Sequence, residues 1–407
     1  MSGVMVRGLL AAVAGFLLVL SGCTAARSPG APPPSAPPPS NQAGPLPAQC
    51  ADRITQPDQA RAALQRVRPG STVCLTGDGL KNAELEVTTS GTQQQPITIV
   101  ADGAAMRSVD VKADYVVIEG LSLRDGDGLT MAGRGLLARN NVIYNATANG
   151  LQCNGCTDTL IESNTVQRAD GTGIWFSGGR VTVRNNTVSE SVARTQNDAD
   201  GIRFFGNGHR LTGNTIRDIK ASGYRDEGPH TDCFQTYDSS DTPPTYDVVI
   251  ANNTCKNVDV QCLIATIDDP RARRAPAGQT SITFEGNTCA VNGSQAVLLR
   301  NFPQVIVRGN SFSGPGDRAV QLTGDSTDVT VTGNTVSGGM RPVEVDRSSA
   351  RGFRGSGDTF GPPGGFPGDP RDSGGHGPDQ HPDGPPPERL DGPGHHDGPS
   401  HHDGPGN

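Results

Sequence analysis

Eight times the chain of 407 residues returns to one phrase, an Asn followed by Thr, Ser or Val and then an apolar residue. The Asn stands at 141, 164, 186, 214, 253, 287, 310 and 334, at intervals of 23, 22, 28, 39, 34, 23 and 24. A second phrase opens on a small residue at Gly150, Gly173, Gly201, Cys233, Cys262, Ala296 and Ala319. It continues with alternating apolar positions, such as Leu151 and Cys153 or Ile202 and Phe204, and that period of two marks a strand with one buried face. A third short apolar run precedes each Asn, as in Val181-Thr182-Val183 and Val248-Val249-Ile250. Three short strands per coil, repeated, describe an all-β chain wound as a parallel β-helix solenoid. Each coil buries its inward side chains against its neighbours, so a chain with only 33% hydrophobic residues still builds a continuous core. The recurrent Asn reads as an internal ladder, its amides bonding coil to coil and satisfying the backbone at a tight turn.

Outside the repeat the composition changes. Of the 54 Gly and 32 Pro, residues 361–407 hold 25 and residues 24–49 hold 11, so the folded part, residues 50–360, is of ordinary composition. The tail 361–407 also carries seven Asp and one Glu against two Arg, most of the formal charge of -8. Its low complexity, with His395-His396 and His401-His402, reads as a disordered, solvated spacer rather than a transition-metal site. Only four Lys occur in the whole chain; without clustered cations to replace phosphate counterions, a nucleic-acid partner is excluded. At the N-terminus, Arg7 precedes an apolar run from Leu9 to Leu20, too short to span a bilayer and right for the core of a signal peptide over residues 1–22. The run ends in Leu20-Ser21-Gly22-Cys23, which resembles a bacterial lipobox. That resemblance implies lipidation of Cys23 and a protein held by its lipid alone on the extracellular face of the cell membrane, with the Pro-rich residues 23–49 as an extended spacer.

With Cys23 set apart, eight cysteines remain, which in an exported chain reads as four disulfides. Cys255 and Cys289 both follow Asn-Thr in successive coils, and Cys233 and Cys262 both open the second phrase in successive coils. Each of these sets is expected to pair. Cys153 and Cys156 share a turn, and Cys50 and Cys74 are left for each other. Between these last two, residues 58–67 place Ala60, Ala63, Leu64 and Val67 on one helical face, a cap for the open end of the solenoid.

The stretch Arg68-Pro69-Gly70-Ser71-Thr72-Val73-Cys74-Leu75, followed by Ser90-Gly91-Thr92 and Pro96-Ile97-Thr98-Ile99-Val100-Ala101, looks like the opening of the right-handed parallel β-helix proteins that include the pectate-lyase-like polysaccharide lyases. The resemblance covers residues 50–360 and implies a right-handed β-helix with a short capping helix. It does not fix the reaction, because fold does not fix function.

The irregularities of the repeat locate a site. From Asn to the second phrase the spacing is 9 residues in five coils, but 15 from Asn186 to Gly201 and 19 from Asn214 to Cys233. From the second phrase to the next Asn it is 13–15 in most coils, but 20 after Cys233 and 25 after Cys262. All four insertions fall in consecutive coils, where a solenoid carries its binding loops. The outward strand positions there are Trp175, Arg203 and Gln235 in one row and Phe205, Tyr237 and, two coils on, Arg300 in another, beside Asp200 and Asp232. Flat apolar faces among polar groups suit a sugar chain. Trp175, Phe205, Gln235, Tyr237 and Arg300 are therefore expected to bind an acidic polysaccharide.

Two reactions compete. In a lyase, Asp198, Asp226 and Glu227, with Asp200 and Asp232 beside them, would hold Ca²⁺ through hard oxygen ligands. Arg203, His230 or Lys220 would abstract the proton next to a uronate carboxyl group. In a hydrolase, Asp200 and Asp232 would be the acid and base pair. Asp198-Ala199-Asp200-Gly201-Ile202 and Thr231-Asp232-Cys233-Phe234 are similar to polygalacturonase motifs, but Thr231 stands where that family has an Asp and no Gly-His-Gly follows. The lyase reading therefore ranks first, and a non-catalytic envelope or adhesion protein using the same groove is the third. The plain structural reading is that each Asp caps a turn and that Arg203 pairs with Asp200. His209, in a Gly-Asn-Gly-His turn, reads as a surface residue, and the chain as a monomer.

Overall fold

The computed structural model describes residues 50, 52–194, 198–221 and 230–360. Cys23 with its flanking segments, Asp226, Glu227 and the tail from 361 lie outside the described residues. No helix among the described residues is long and apolar enough to cross a membrane. A coil consists of three strands, for example Ile174–Gly179, Thr182–Arg184 and Thr187–Ser189. Successive coils pair parallel and in register, with Ile174 opposite Ile202, Thr182 opposite Arg210 and Thr187 opposite Thr215. First strands stack into what we call the site sheet, which ends at Arg341–Val345. Second strands make a 13-stranded sheet from Arg53–Ile54 to Arg354–Ser356. Third strands form the remaining face, and Ala105–Lys112 and Ser122–Ala132 run through both it and the site sheet.

Inward side chains stack as regularly as the strands. Phe176 lies 6.2 Å from Phe204, and Phe284 lies 6.5 Å from Phe312 with ring planes only 9° apart. The expected capping helix runs from Pro57 to Leu64. It starts on a proline, whose fixed φ and missing N–H suit a first turn, and buries Ala60 and Leu64 against Thr72–Leu75 and Glu84–Val87.

The eight Asn residues form the expected ladder. Asn164 is representative: its Oδ1 accepts from the backbone N–H and Nδ2 of Asn141, at 3.0 and 2.9 Å. Its Nδ2 donates to Ala138 O and to Asn186 Oδ1, both at 3.0 Å. All four valences of the amide are filled inside the protein, and the pattern continues to Asn334. There the last Nδ2 donates to Asp358 Oδ1 at 3.1 Å. A carboxylate accepts without owing a donor to a further coil, so Asp358 closes the ladder. The residue before each Asn is left-handed, from Asn140 (φ 56°), Ser163 (φ 55°) and Asn185 (φ 56°) to Gly213 (φ 65°) and Gly333 (φ 64°), which is where Gly and Asn cost least.

Two disulfides match expectation, Cys50–Cys74 and Cys153–Cys156. The other two correct it. The bonds are Cys233–Cys255 and Cys262–Cys289, with Cα atoms 6.1 and 5.9 Å apart, within a coil rather than between coils. Cysteines stacked in register point the same way and keep their Cβ atoms about 4.8 Å apart, too far for a relaxed bridge near 3.8 Å. Positions facing each other across the corner of one coil converge instead. A Cβ built at Gly150, Gly173 or Gly201 would stand only 2.3, 2.2 or 2.5 Å from a side-chain carbon of Val166, Val188 or Ile216. In the next two coils both members of that facing pair become Cys.

Two outcomes follow. Asn214→Asp removes the donors to Val183 O and Asn253 Oδ1 and should cost on the order of 3 kcal/mol or more, whereas Asp358→Asn should shift stability by less than about 1 kcal/mol; chemical denaturation of both compares them, and equal losses would contradict the ladder's polarity. Peptide mapping without reduction should recover Cys233 linked to Cys255 and Cys262 linked to Cys289; a Cys233–Cys262 peptide would contradict the facing-pair geometry.

Candidate functional site

Because the strands of the site sheet are parallel and in register, the loops that precede them share one long edge and the loops that follow share the other. Two insertions open the first edge, before Ile202 and before Phe234, and two open the second, after Tyr237 and after Thr266. The face between them carries the outward rows read from the repeat. Trp175 is opposite Arg203, Arg203 opposite Gln235, Tyr237 opposite Thr266 and Thr266 opposite Arg300. Trp175, Phe205 and Tyr237 make a continuous aromatic run, with ring centroids 5.6 and 4.9 Å apart.

Burial sorts these residues. Tyr237 is 40% exposed and Trp175 half-buried, but Phe205 is 2% and Gln235 5% exposed. The expectation that the last two offer their faces to a ligand is corrected. The rings of Trp175 and Tyr237 lie against that of Phe205 from the coils on either side, so the middle ring of three is covered. Gln235 is engaged by His230, whose Nδ1 lies 3.1 Å from Gln235 Nε2. Arg300 is exposed, with Nε 3.0 Å from Asp268 Oδ1.

Asp200 and Asp232 stack as expected, and both are fully buried. One oxygen of each caps the next coil: Asp200 Oδ1 accepts from Asp232 N at 3.0 Å, and Asp232 Oδ1 accepts from Gln261 N at 2.7 Å. Asn149 does the same for Thr172 N at 3.0 Å, so this is a capping column. The second oxygens differ. Asp200 Oδ2 takes Arg203 Nε at 3.0 Å and also its Nη2, which reaches Asp198 Oδ2 at 2.6 Å. Burial pushes Asp200 up, and Arg203 pulls it back. Burial works against the Arg203 charge, but the two carboxylates outweigh it and raise its pKa. Among the described residues Asp232 has no cation of its own. Burial, and then the charge of Asp200, push it well above the usual carboxylate range. Its Oδ2, Thr231 Oγ1 and Gln235 Oε1 are three of the five buried side-chain atoms without a hydrogen-bond partner among the described residues.

The three candidate bases are now unequal. Arg203 is committed to Asp198 and Asp200, and Lys220 Nζ sits 3.0 Å from Asp259 Oδ1. His230 is exposed, with the Gln235 amide against one ring nitrogen. Of the expected calcium ligands, Asp198 already answers Arg203, and Asp226 and Glu227 lie outside the described residues. The described carboxylates therefore do not by themselves make a calcium site.

His209 is corrected from surface to interior. It is fully buried, with Nδ1 accepting from Val181 N at 3.2 Å, Nε2 donating to Phe205 O at 3.1 Å, and the ring edge-on to Phe176 at 5.0 Å. The sequence hint was its place at the corner between two strands, where the facing coil presents an unpaired N–H. Burial lowers its pKa from 6.5 to about 4. Between those values the unfolded chain binds the proton and the folded one does not, so its contribution is complete above pH 6.5 and is lost as pH falls to about 4. The stability gap between wild type and His209→Gln should therefore shrink by about 3 kcal/mol over that interval; denaturation midpoints followed against pH check this, and a constant gap would contradict it.

A parallel solenoid with an elongated, loop-walled face defines the class. The family of right-handed β-helix regions matches residues 98–216 and 127–336, and the chain belongs to it. No curated protein matches the chain. Among solved structures, the alginate lyase from Paenibacillus sp. str. FPU-7 aligns over 75% of this chain and 98% of its own, with 16% identity and a TM-score of 0.40. The tailspike protein of E. coli bacteriophage HK620, in complex with a pentasaccharide, aligns over 75% of this chain with 11% identity and a TM-score of 0.51. The alignment spans 63% of the tailspike chain. At these identities the likeness is one of fold.

Proposed function

We propose that the protein binds an acidic polysaccharide along the site sheet. The observation that carries this is the run of Trp175, Phe205 and Tyr237 across three coils. Its outer members are accessible, its middle ring is buttressed, and the repeat places insertions at both long edges. The two accessible rings, two coils apart, offer stacking platforms to an extended chain. That a tailspike protein solved in complex with a pentasaccharide shares the fold is in keeping with this reading.

Cleavage by β-elimination is the second reading, favoured by one specific observation: His230 is exposed, with the Gln235 amide 3.1 Å from its Nδ1. Hydrolysis by Asp200 and Asp232 is disfavoured, since both are fully buried and each caps a backbone N–H. Assays with and without calcium chloride decide the part of that ion. The lipid anchor at Cys23 and the extracellular placement belong to the same proposal.

Trp175→Ala should weaken binding of a uronate polysaccharide about tenfold, as loss of one stacking face does, while thermal denaturation shows the fold intact; unchanged affinity would overturn the placement. His230→Gln should retain binding and abolish the ultraviolet absorbance of unsaturated chain ends. Turnover unaffected by that change would remove His230 from the reaction.

A further inference from the structure

Just past the ends of Phe234–Tyr237, Leu263–Thr266 and Gln295–Arg300, at the edge walled by the second pair of insertions, lies a pocket of ≈ 370 Å³. That is the size class of small-molecule sites. Ile267 and Phe302, both buried, supply its apolar lining, and Asp238, Arg274, Asp325 and Arg351 supply its charges. The two acids and two bases are not equivalent. Asp238 is buried and faces Thr245, accepting from its N at 3.2 and 3.1 Å and from its Oγ1 at 2.7 Å. The two guanidinium groups are lightly used. Arg274 Nη1 donates to Asn301 O at 3.0 Å, and Arg351 Nη2 donates to Thr327 Oγ1 at 3.1 Å. Among the described residues the one carboxylate within ion-pair reach of either is Asp328, 4.0 Å from Arg351.

A guanidinium carries five N–H donors in a planar fork that matches a carboxylate, so both arginines keep most of their donors uncommitted. Asp238 is turned to its own loop, and Asp325 lies beyond ion-pair distance of either arginine. The loop that carries Arg274 is itself held. With its amide oriented to satisfy both groups, Gln304 donates to Gln279 O at 3.1 Å and accepts from Gly278 N at 3.2 Å. A held loop keeps its charged side chain in place before a ligand arrives, which lowers the ordering cost of binding.

We propose that this pocket receives one acidic sugar residue, its carboxylate bound by Arg274 and Arg351, while the chain it belongs to runs over Tyr237 towards Trp175. The proposal rests on the polysaccharide reading and adds a specificity subsite at the edge of the groove.

The test is calorimetric titration of the full chain with short oligouronates and with the same oligomers after reduction of their carboxyl groups to alcohols. Wild type should bind the acidic form about tenfold more tightly than the reduced one, as a charge-assisted fork contact allows. Arg274→Gln and Arg351→Gln, both at exposed positions, should each erase most of that preference without weakening the reduced form. Asp238→Asn, which removes the opposing charge, should strengthen the acidic form alone. Equal affinity for the two forms in wild type, or variants that weaken both forms alike, would overturn the proposal. Binding that Trp175→Ala weakens but the arginine variants leave untouched would overturn the pocket and leave the groove standing; no binding of any oligomer would overturn both.

Discussion

The asparagine ladder is the interaction on which the rest of this structure depends. A coil of three short strands cannot close without sharp corners, and a corner buries backbone N–H and C=O groups that no strand pairing can reach. Each ladder amide answers backbone groups at the corner of the preceding coil and bonds to the amide of the following one, so the corner is satisfied only when coils are stacked in register. A net gain near 1 kcal/mol per hydrogen bond is modest, but a corner left unsatisfied costs more than the bond gains. The ladder therefore acts chiefly as a register device: a slip by one residue would orphan buried donors in every coil at once. Its closure on Asp358 shows the same logic at the end of the stack.

Register along one corner propagates to the opposite face. With every coil tied at its Asn, extra residues can be absorbed only at the other two corners, which flank the site sheet, and there the four insertions fall, two at each corner. The cysteine pairs sit at the same coils. Cys233 directly follows Asp232, and Cys262 directly follows Gln261, so each disulfide fastens a strand start beside the capping column to the third face. The coils that carry the longest loops are thus the ones bound covalently across their interior, which offsets the ordering cost of the loops and fixes the acid pair they bracket.

Much of this was legible in the chain before its coordinates. The Asn spacing, the period-two phrases and the broken intervals placed the ladder, the outward rows and the insertions, because each depends on one-dimensional register alone. What failed depended on a second direction. Phe205 reads as an outward ring, yet only the size of Trp175 and Tyr237 on the adjoining coils covers it. The cysteine pairing required comparing positions across one coil, where Gly opposite Val166, Val188 or Ile216 gives way to Cys opposite Cys, rather than along the stack. His209 looked like a turn residue because its Gly neighbours resemble a loop, whereas the corner it occupies is turned inward. That both stacked carboxyls lie fully buried could not be read at all, since an Asp that caps a turn is ordinarily at the surface.

The most direct test of the central claim is a crystal structure of the protein grown with an oligouronate. The expected result is sugar rings lying along the site sheet, stacked on Trp175 and Tyr237 between the two walls of insertions. Sugar bound to the 13-stranded sheet or to the third face, with the aromatic run bare, would contradict it.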